Sequence, residues 1–228
     1  MVYAIILAGG IGTRSGEAIP KQCVEVGGKA VLVHTIQAFE DCKMIDKIIV
    51  ATLPNYINTI WHYRTEFNFK KIYKVVQGGA TGIGSVYSGL LSIKDEALKE
   101  DIVSIHDGVR PFVSKEIISD SIKKAMQYGT GVASIPCVET MVRWKDGTPS
   151  SDMIARDELY RVQTPQTFTA GILYDLFDTT DDITKIQEPS VFAYYISQGG
   201  AVYCSLGSEK NIKLTYPEDI AYYRRLFG

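Results

Sequence analysis

Tyr3-Ala4-Ile5-Ile6-Leu7-Ala8 runs into Gly9-Gly10-Ile11-Gly12-Thr13-Arg14-Ser15-Gly16 and then, after Glu17-Ala18-Ile19, into Pro20-Lys21-Gln22. The first six residues are β-rich and nearly continuous in apolar character, as a strand buried on both faces of a parallel sheet requires. Glycines begin where that run stops. Glycine accepts positive φ and carries no Cβ, so the main-chain N–H groups of residues 9 to 12 can turn toward a polyphosphate and approach it closely. Arg14 and Lys21 add two cations. The spacing is neither G-x-x-x-x-G-K-[ST] nor a clean G-x-G-x-x-G, and no acidic residue ends a second strand in the ribose-binding manner. Taken alone, the loop also reads as a tight strand-to-helix turn carrying solvated basic residues.

Outward from this stretch, strand-like runs recur at Ala4–Ala8, Ile45–Leu53, Ile72–Gln77, Ile102–His106, Gly131–Pro136 and Ala201–Leu206. Helical spacing lies between most of them: Val31–Asp41 sets Leu32, Ile36 and Phe39 near one face, and Ser85–Leu98 and Lys115–Tyr128 show similar three- and four-residue steps. Alternating strands and helices predict an α/β fold, a Rossmann-like, mostly parallel, doubly wound sheet in one domain spanning residues 1–228. In such sheets ligands sit beyond the carboxyl ends of the strands. The Gly9 loop, the Gly78-Gly79 loop and Asp107 all follow strands and are expected to share that edge. Residues 137–163 break the rhythm. Lys145-Asp146-Gly147-Thr148-Pro149 between two extended runs signals a β-hairpin, read as an arm that projects from the sheet and packs on a second copy of the chain.

The 228 residues are 46% hydrophobic, with 24 Lys and Arg against 26 Asp and Glu. A net charge of −2 supplies no global field for nucleic acid or an anionic membrane, so any anion must be caught locally. Cys23, Cys42, Cys137 and Cys204 are scattered without C-x-x-C spacing, as are His34, His62 and His106, which argues against disulfide and zinc frameworks. No signal peptide or 18-residue apolar run is evident, and a cytoplasmic protein is expected.

Three further segments carry chemistry. In Ile105-His106-Asp107-Gly108-Val109-Arg110 a strand ends in a carboxylate and a guanidinium follows three residues later. Asp107 suits Mg²⁺, which takes one or two carboxylates plus phosphate oxygens and keeps several waters; it also suits a structural pair with Arg110, the role expected for that arginine. His106 reads as a hydrogen-bonded structural residue. Gln77 to Val86 form a second glycine-rich turn in which Ser85 is expected as a helix N-cap, or as a hydroxyl that reads a base edge together with the backbone of Gly79 and Ala80. Finally, Lys213 stands in an apolar alternation before Pro217, which is placed in the first turn of a last helix with Glu218 and Asp219 at its N-terminus.

LAGGIGTRSGEAIPKQ at 7–22, the Gly28–Thr35 segment, GGATGIGSVYSGL at 78–90, HDGVRPF at 106–112, ETM at 139–141, RDELYRVQTPQTF at 156–168 and NIKLTYPED at 211–219 together resemble the 2-C-methyl-D-erythritol 4-phosphate cytidylyltransferase family and its close relatives that make CDP-ribitol. The resemblance covers nearly the whole chain, in order. It implies that CTP and a polyol phosphate give a CDP-polyol and pyrophosphate through attack on the α-phosphorus, with cations and Mg²⁺ neutralising the two anions. By resemblance Arg14, Lys21 and Lys213 serve catalysis; Ala8, Gly9, Gly10, Gly12, Gly79, Ala80 and Ser85 hold the nucleotide; and Asp107 holds Mg²⁺ or the ribose. Thr140 and Arg156 on the arm would grip the polyol phosphate in the site of the other subunit of a homodimer, with Thr164 as a further candidate.

Two departures stand out. Ala80 and Gly82 replace the acidic and basic residues common in the family. The acidic pair expected before the last strands falls either on Asp181-Asp182 or, by gapless alignment from Gly199, on Pro189-Ser190-Val191. The first acceptor expected is 2-C-methyl-D-erythritol 4-phosphate, the alternative is ribitol 5-phosphate, and a nucleotide-binding paralogue without turnover is the third reading.

Overall fold

The computed structural model describes residues 1–10 and 19–227, with side chains to residue 225. Gly12 and Arg14 therefore lie outside the described residues. The strands are β1 (Val2–Ala8), β2 (Glu25–Val26), β3 (Lys29–Ala30), β4 (Lys47–Thr52), β5 (Ile72–Gln77), β6 (Ile102–Asp107), β7 (Thr130–Pro136), β8 (Met141–Arg143), β9 (Asp152–Ile154), β10 (Tyr160–Thr169) and β11 (Cys204–Leu206). The α-helices are α1 (Val31–Glu40), α2 (Ile57–Glu66), α3 (Gly82–Leu91), α4 (Lys115–Tyr128), α5 (Ala170–Asp178), α6 (Val191–Ser197) and α7 (Pro217–Phe227).

Seven strands form one sheet in the order β11-β7-β10-β6-β1-β4-β5. All neighbours are parallel except β10, which is antiparallel to both β6 and β7. The alternation within β1 shows why both faces must be covered. Ala4, Ile6 and Ala8 enter a core with Leu32, Ile36 and Phe39 of α1, Ile60 of α2 and Ile117, Ile118 and Ile122 of α4. Tyr3 and Ile5 enter the opposite core with Ile83, Val86 and Leu90 of α3, Leu173 and Phe177 of α5 and Tyr194 of α6. The sheet is thus wound on both sides, as the strand and helix pattern predicts.

The expected arm is smaller than 137–163. β8 and β9 pair antiparallel from Met141↔Ile154 to Arg143↔Asp152, around a turn in which Gly147 has φ +77°. Residues 160–163 belong to the body, because β10 begins at Tyr160 and pairs with Pro136 of β7. The arm is bare: Trp144 is 72% and Met153 71% exposed.

Two boundaries also move. α3 begins at Gly82 rather than Ser85, because Thr81 is its N-cap and accepts from the Gly84 N–H at 3.0 Å. The last strand is only Cys204–Leu206, and Lys213 lies in a loop.

Candidate active site

Parallel register brings the strand ends together. Leu7 lies beside Asp107 across β1 and β6, and Ala8 beside Thr52 across β1 and β4. A cleft of about 380 Å³ opens at this carboxyl edge, lined by Gly9, Gly10, Lys21, Gly79, Ala80, Ser85, Asp107 and Lys213 among others. Eight of the sequence-selected residues therefore meet at one mouth. Ala8 is buried directly beneath it.

Gln22 holds the first glycine loop. It is 2% exposed, and its amide donates to the carbonyls of Ala8 at 2.7 Å and Gly10 at 3.0 Å. Gly9 and Gly10 have negative φ, so what the position uses is the missing Cβ: one built at Gly10 would meet no described residue within 4 Å. The second loop is packed differently. A Cβ on Gly79 would lie 2.6 Å from the Gly84 carbonyl carbon. Ser85, displaced from the cap position, turns its hydroxyl inward to donate to the Thr81 carbonyl at 3.0 Å.

Asp107 is the electrostatic centre. Its two carboxylate oxygens take Lys213 Nζ at 3.1 Å and Arg110 Nε at 3.0 Å. Burial alone would raise its pKa, but Lys213 and Arg110 outweigh it and hold the carboxyl below its ordinary value. Arg110 is fixed in turn by donating to the Asn211 carbonyl at 2.7 Å, so it serves the structural role expected of it. Asp107 can offer Mg²⁺ a single carboxylate, and no group of three or more metal-ligating side chains occurs among the described residues. That donor set fits Mg²⁺ only where phosphate oxygens and water complete its shell.

His106 is fully buried. Nε2 faces the Arg110 carbonyl at 3.3 Å and Nδ1 faces Thr164 Oγ1 at 3.0 Å, which assigns the proton to Nε2 and makes the Thr164 hydroxyl the donor to Nδ1. Burial drives the imidazole pKa down to about 3, with the Asp107 carboxylate pulling the other way. The ring is therefore neutral and positions its neighbours. Thr164 also accepts from the Asp107 N–H at 3.1 Å, so its hydroxyl is engaged in shaping the strand end, at the wall of an adjoining compartment.

That compartment, of about 270 Å³, shares Leu7, Gly82, Asp107, Pro189 and Lys213 with the cleft. Pro189, Ser190 and Val191 line it. Asp181 and Asp182 lie in a separate surface depression, where Asp182 accepts from the Thr184 N–H at 3.0 Å. The gapless alignment is the one that matches the site. Thr140 and Arg156 line neither cavity; both are exposed, and Arg156 donates to the Val138 carbonyl at 3.3 Å. Gln22, Gln163 and Asn211 support the site without having been singled out, although each stands inside a quoted motif.

A doubly wound sheet whose strand-end cleft joins glycine turns to lysines is the architecture of a nucleotide-handling α/β enzyme. Comparison with known proteins gives the class: relatives of this chain are cytidylyltransferases, which are nucleotidyltransferases. The family model for 2-C-methyl-D-erythritol 4-phosphate cytidylyltransferase matches residues 2–226, and the chain belongs to that family. A Clostridium botulinum protein named 2-C-methyl-D-erythritol 4-phosphate cytidylyltransferase is 39% identical over 96% of each chain. A Lacticaseibacillus paracasei protein named ribitol-5-phosphate cytidylyltransferase is 34% identical over 98% of this chain and 97% of its own. The solved 4-diphosphocytidyl-2C-methyl-D-erythritol synthase of Anaerococcus prevotii superposes with a TM-score of 0.81 at 26% identity, covering 99% of this chain and 95% of that one. No helix among the described residues is long and apolar enough to cross a membrane.

Proposed function

We propose that the enzyme transfers the cytidylyl group of CTP to 2-C-methyl-D-erythritol 4-phosphate. An oxygen of the acceptor phosphate attacks the α-phosphorus, the bond from that phosphorus to the bridging oxygen breaks, and pyrophosphate leaves with the electron pair. The observation that supports this reading is the convergence of Lys21, Lys213 and Asp107 between two glycine turns. Two anions must touch, so catalysis consists of positioning and of neutralising charge.

In this reading Lys21 and Lys213 face the triphosphate and the charge that develops at the α-phosphorus, with Arg14 as a third cation. Ala8, Gly9, Gly10 and Gly12 cradle the phosphates, while Gly79, Ala80 and Ser85 face the base. Mg²⁺ would arrive with the triphosphate, held on the protein side by Asp107, and supplies charge neutralisation when bound. Thr140 and Arg156 grip the acceptor phosphate in the site of a second copy, a role supported by their lining neither cavity of their own chain and by the bare hairpin that they flank. Arginine suits that role because its fork binds phosphate at two points. Ribitol 5-phosphate is the second acceptor reading, favoured by the Lacticaseibacillus relative and by Val109 at the cleft.

The test is pyrophosphate release from purified protein given CTP, Mg²⁺ and each polyol phosphate in turn. Release with the methylerythritol phosphate is expected; turnover of ribitol phosphate alone would move the assignment to the second reading. Lys213→Ala should lower turnover about 10²- to 10³-fold, the loss typical of removing one donor to a developing charge, with CTP affinity reduced far less. Unchanged turnover would remove the role given to Lys213.

A further inference from the structure

Lys213 reaches the cleft from a loop without regular secondary structure, and its side chain is 44% exposed. Its ammonium nonetheless stands 3.1 Å from Asp107 Oδ1. A long flexible stem loses rotamer freedom when its tip is held, so the tip is placed no better than the main chain beneath it. That main chain is pinned on both sides. Two residues earlier the Asn211 carbonyl accepts from Arg110 Nη1 at 2.7 Å, and one residue later the Leu214 N–H donates to the Val109 carbonyl at 2.9 Å. Both partners belong to the segment that leaves β6 directly after Asp107.

The Asn211 side chain adds an anchor from another direction. It is fully buried, and Nδ2 donates to the Thr164 carbonyl at 2.8 Å and to Gln163 Oε1 at 3.3 Å. The Ser208 main chain fixes how the two amides face each other. Gln163 Nε2 donates to the Ser208 carbonyl at 2.8 Å while Oε1 accepts from the Ser208 N–H at 3.1 Å, so Oε1 is the end that meets Asn211, and Asn211 must present its donor. Asn211 Oδ1 is buried with no partner among the described residues. The position therefore uses the donor end of the amide.

Thr164 and Arg110 close the connection. The Thr164 carbonyl takes Asn211 while its hydroxyl accepts from the Asp107 N–H at 3.1 Å, and Arg110 joins the Asn211 carbonyl to Asp107 Oδ2. The residue two before Lys213 is thus tied by separate routes, through β10 and through the turn after β6, to the residue whose carboxylate Lys213 meets. Asn211 itself lines neither cavity. We propose that Asn211 is a positioning residue for the transfer step: through Thr164 and Arg110 it sets where the Lys213 ammonium stands relative to Asp107, without touching either substrate. This rests on the cytidylyltransfer reading above, in which Lys213 faces the α-phosphorus.

The experiment is a double-mutant cycle on pyrophosphate release, with CTP, Mg²⁺ and whichever of the two polyol phosphates supports turnover, run below the melting temperature of every variant. Asn211→Leu removes the donor and keeps the site filled. It should lower kcat about ten- to a hundredfold, the scale of an ångström's misplacement, with the CTP KM within about threefold. In a Lys213→Ala background the same substitution should cost less than about twofold, because the group it positions is gone. Equal losses in the two backgrounds would overturn the proposal and leave Asn211 a support of the fold in general, and so would an unchanged kcat in the wild-type background. Gln163→Ala removes one acceptor of Asn211 and leaves the Thr164 contact. Taken through the same cycle it should lower kcat about three- to tenfold with the same dependence on Lys213, and it decides the question should Asn211→Leu fail to fold. Turnover by Lys213→Ala alone that equals wild type would take down the role of Lys213 in the reading beneath, and this proposal with it.

Discussion

The two glycine-rich turns at the cleft look alike in sequence and are built on opposite principles. In the turn after β5 the glycines are required by the protein's own packing: Gly79 abuts the backbone of Gly84, and a Cβ on Gly78 would lie 2.9 Å from Ser85 Oγ. In the turn after β1, Gly10 has no described residue within 4 Å of where a side chain would stand, and the loop is held from below by Gln22. The turns meet through Gly9, whose Cβ would be 3.5 Å from Ser85 Oγ. One set of glycines lets the chain fold on itself; the other, in the proposed function, leaves room for the nucleotide.

The sharpest way to break this contrast is Gly79→Ala. The new methyl would press on backbone that is already helical, so a loss of about 1–3 kcal/mol is expected, with a melting temperature lower by several degrees. Turnover should fall about a hundredfold as the turn shifts by an ångström or so. A variant as stable and active as wild type would show that packing does not dictate this glycine. Gln22→Leu comes next. It strips a donor from two carbonyls, one of them buried, for about 1–3 kcal/mol, read from urea midpoints, and should weaken CTP binding by loosening the loop.

Gly10→Ala tests the other side of the comparison. Its melting temperature should stay within about a degree of wild type while the KM for CTP rises about tenfold, an effect of roughly 1.4 kcal/mol on binding alone. A stability loss without a binding loss would reverse the assignment of the two turns. The smallest effect concerns β5, the strand that feeds the second turn. Its Lys74 and Tyr73 donate to Glu96 at 2.6 and 2.8 Å and, with Lys47 beside them, hold that carboxyl down at about 2 instead of 4.5. A depressed carboxylate contributes stability that is complete above pH 4.5 and is lost as the pH falls toward 2. Glu96→Gln should therefore flatten that part of the acid-unfolding curve slightly and leave neutral activity intact.

How far the fold could be read from sequence depended on whether burial was signalled by apolar side chains. β1, β4, β5, β6 and β7 announce themselves as apolar runs, and α1 and α4 by their spacing. β10 does not. Gln163, Thr164, Gln166 and Thr167 are polar yet buried, stabilised by partners such as Ser104, 63 residues away from Thr167, and no local periodicity reports such a partnership. Only its first residues, to 163, read as the return of the arm, and the remainder carries no strand signal. α2, with Ile60 as its one buried residue, is equally faint. Within the site, the residues that follow strands were legible because topology fixes where strand ends lie. Gln22 and Asn211 were not, because their importance lies in which main-chain groups they meet.

The sequence by itself determined the alternation of strands and helices, the glycines and cations that follow each strand, and the family they compose, because these are short-range patterns of size, charge and backbone freedom. Only the tertiary structure decided that Lys213 would close on Asp107 across 106 residues, that Thr81 rather than Ser85 would cap α3, and that Pro189 to Val191 would wall the second compartment. Those outcomes depend on sheet register and on the packing of two faces at once, which no local stretch of chain encodes.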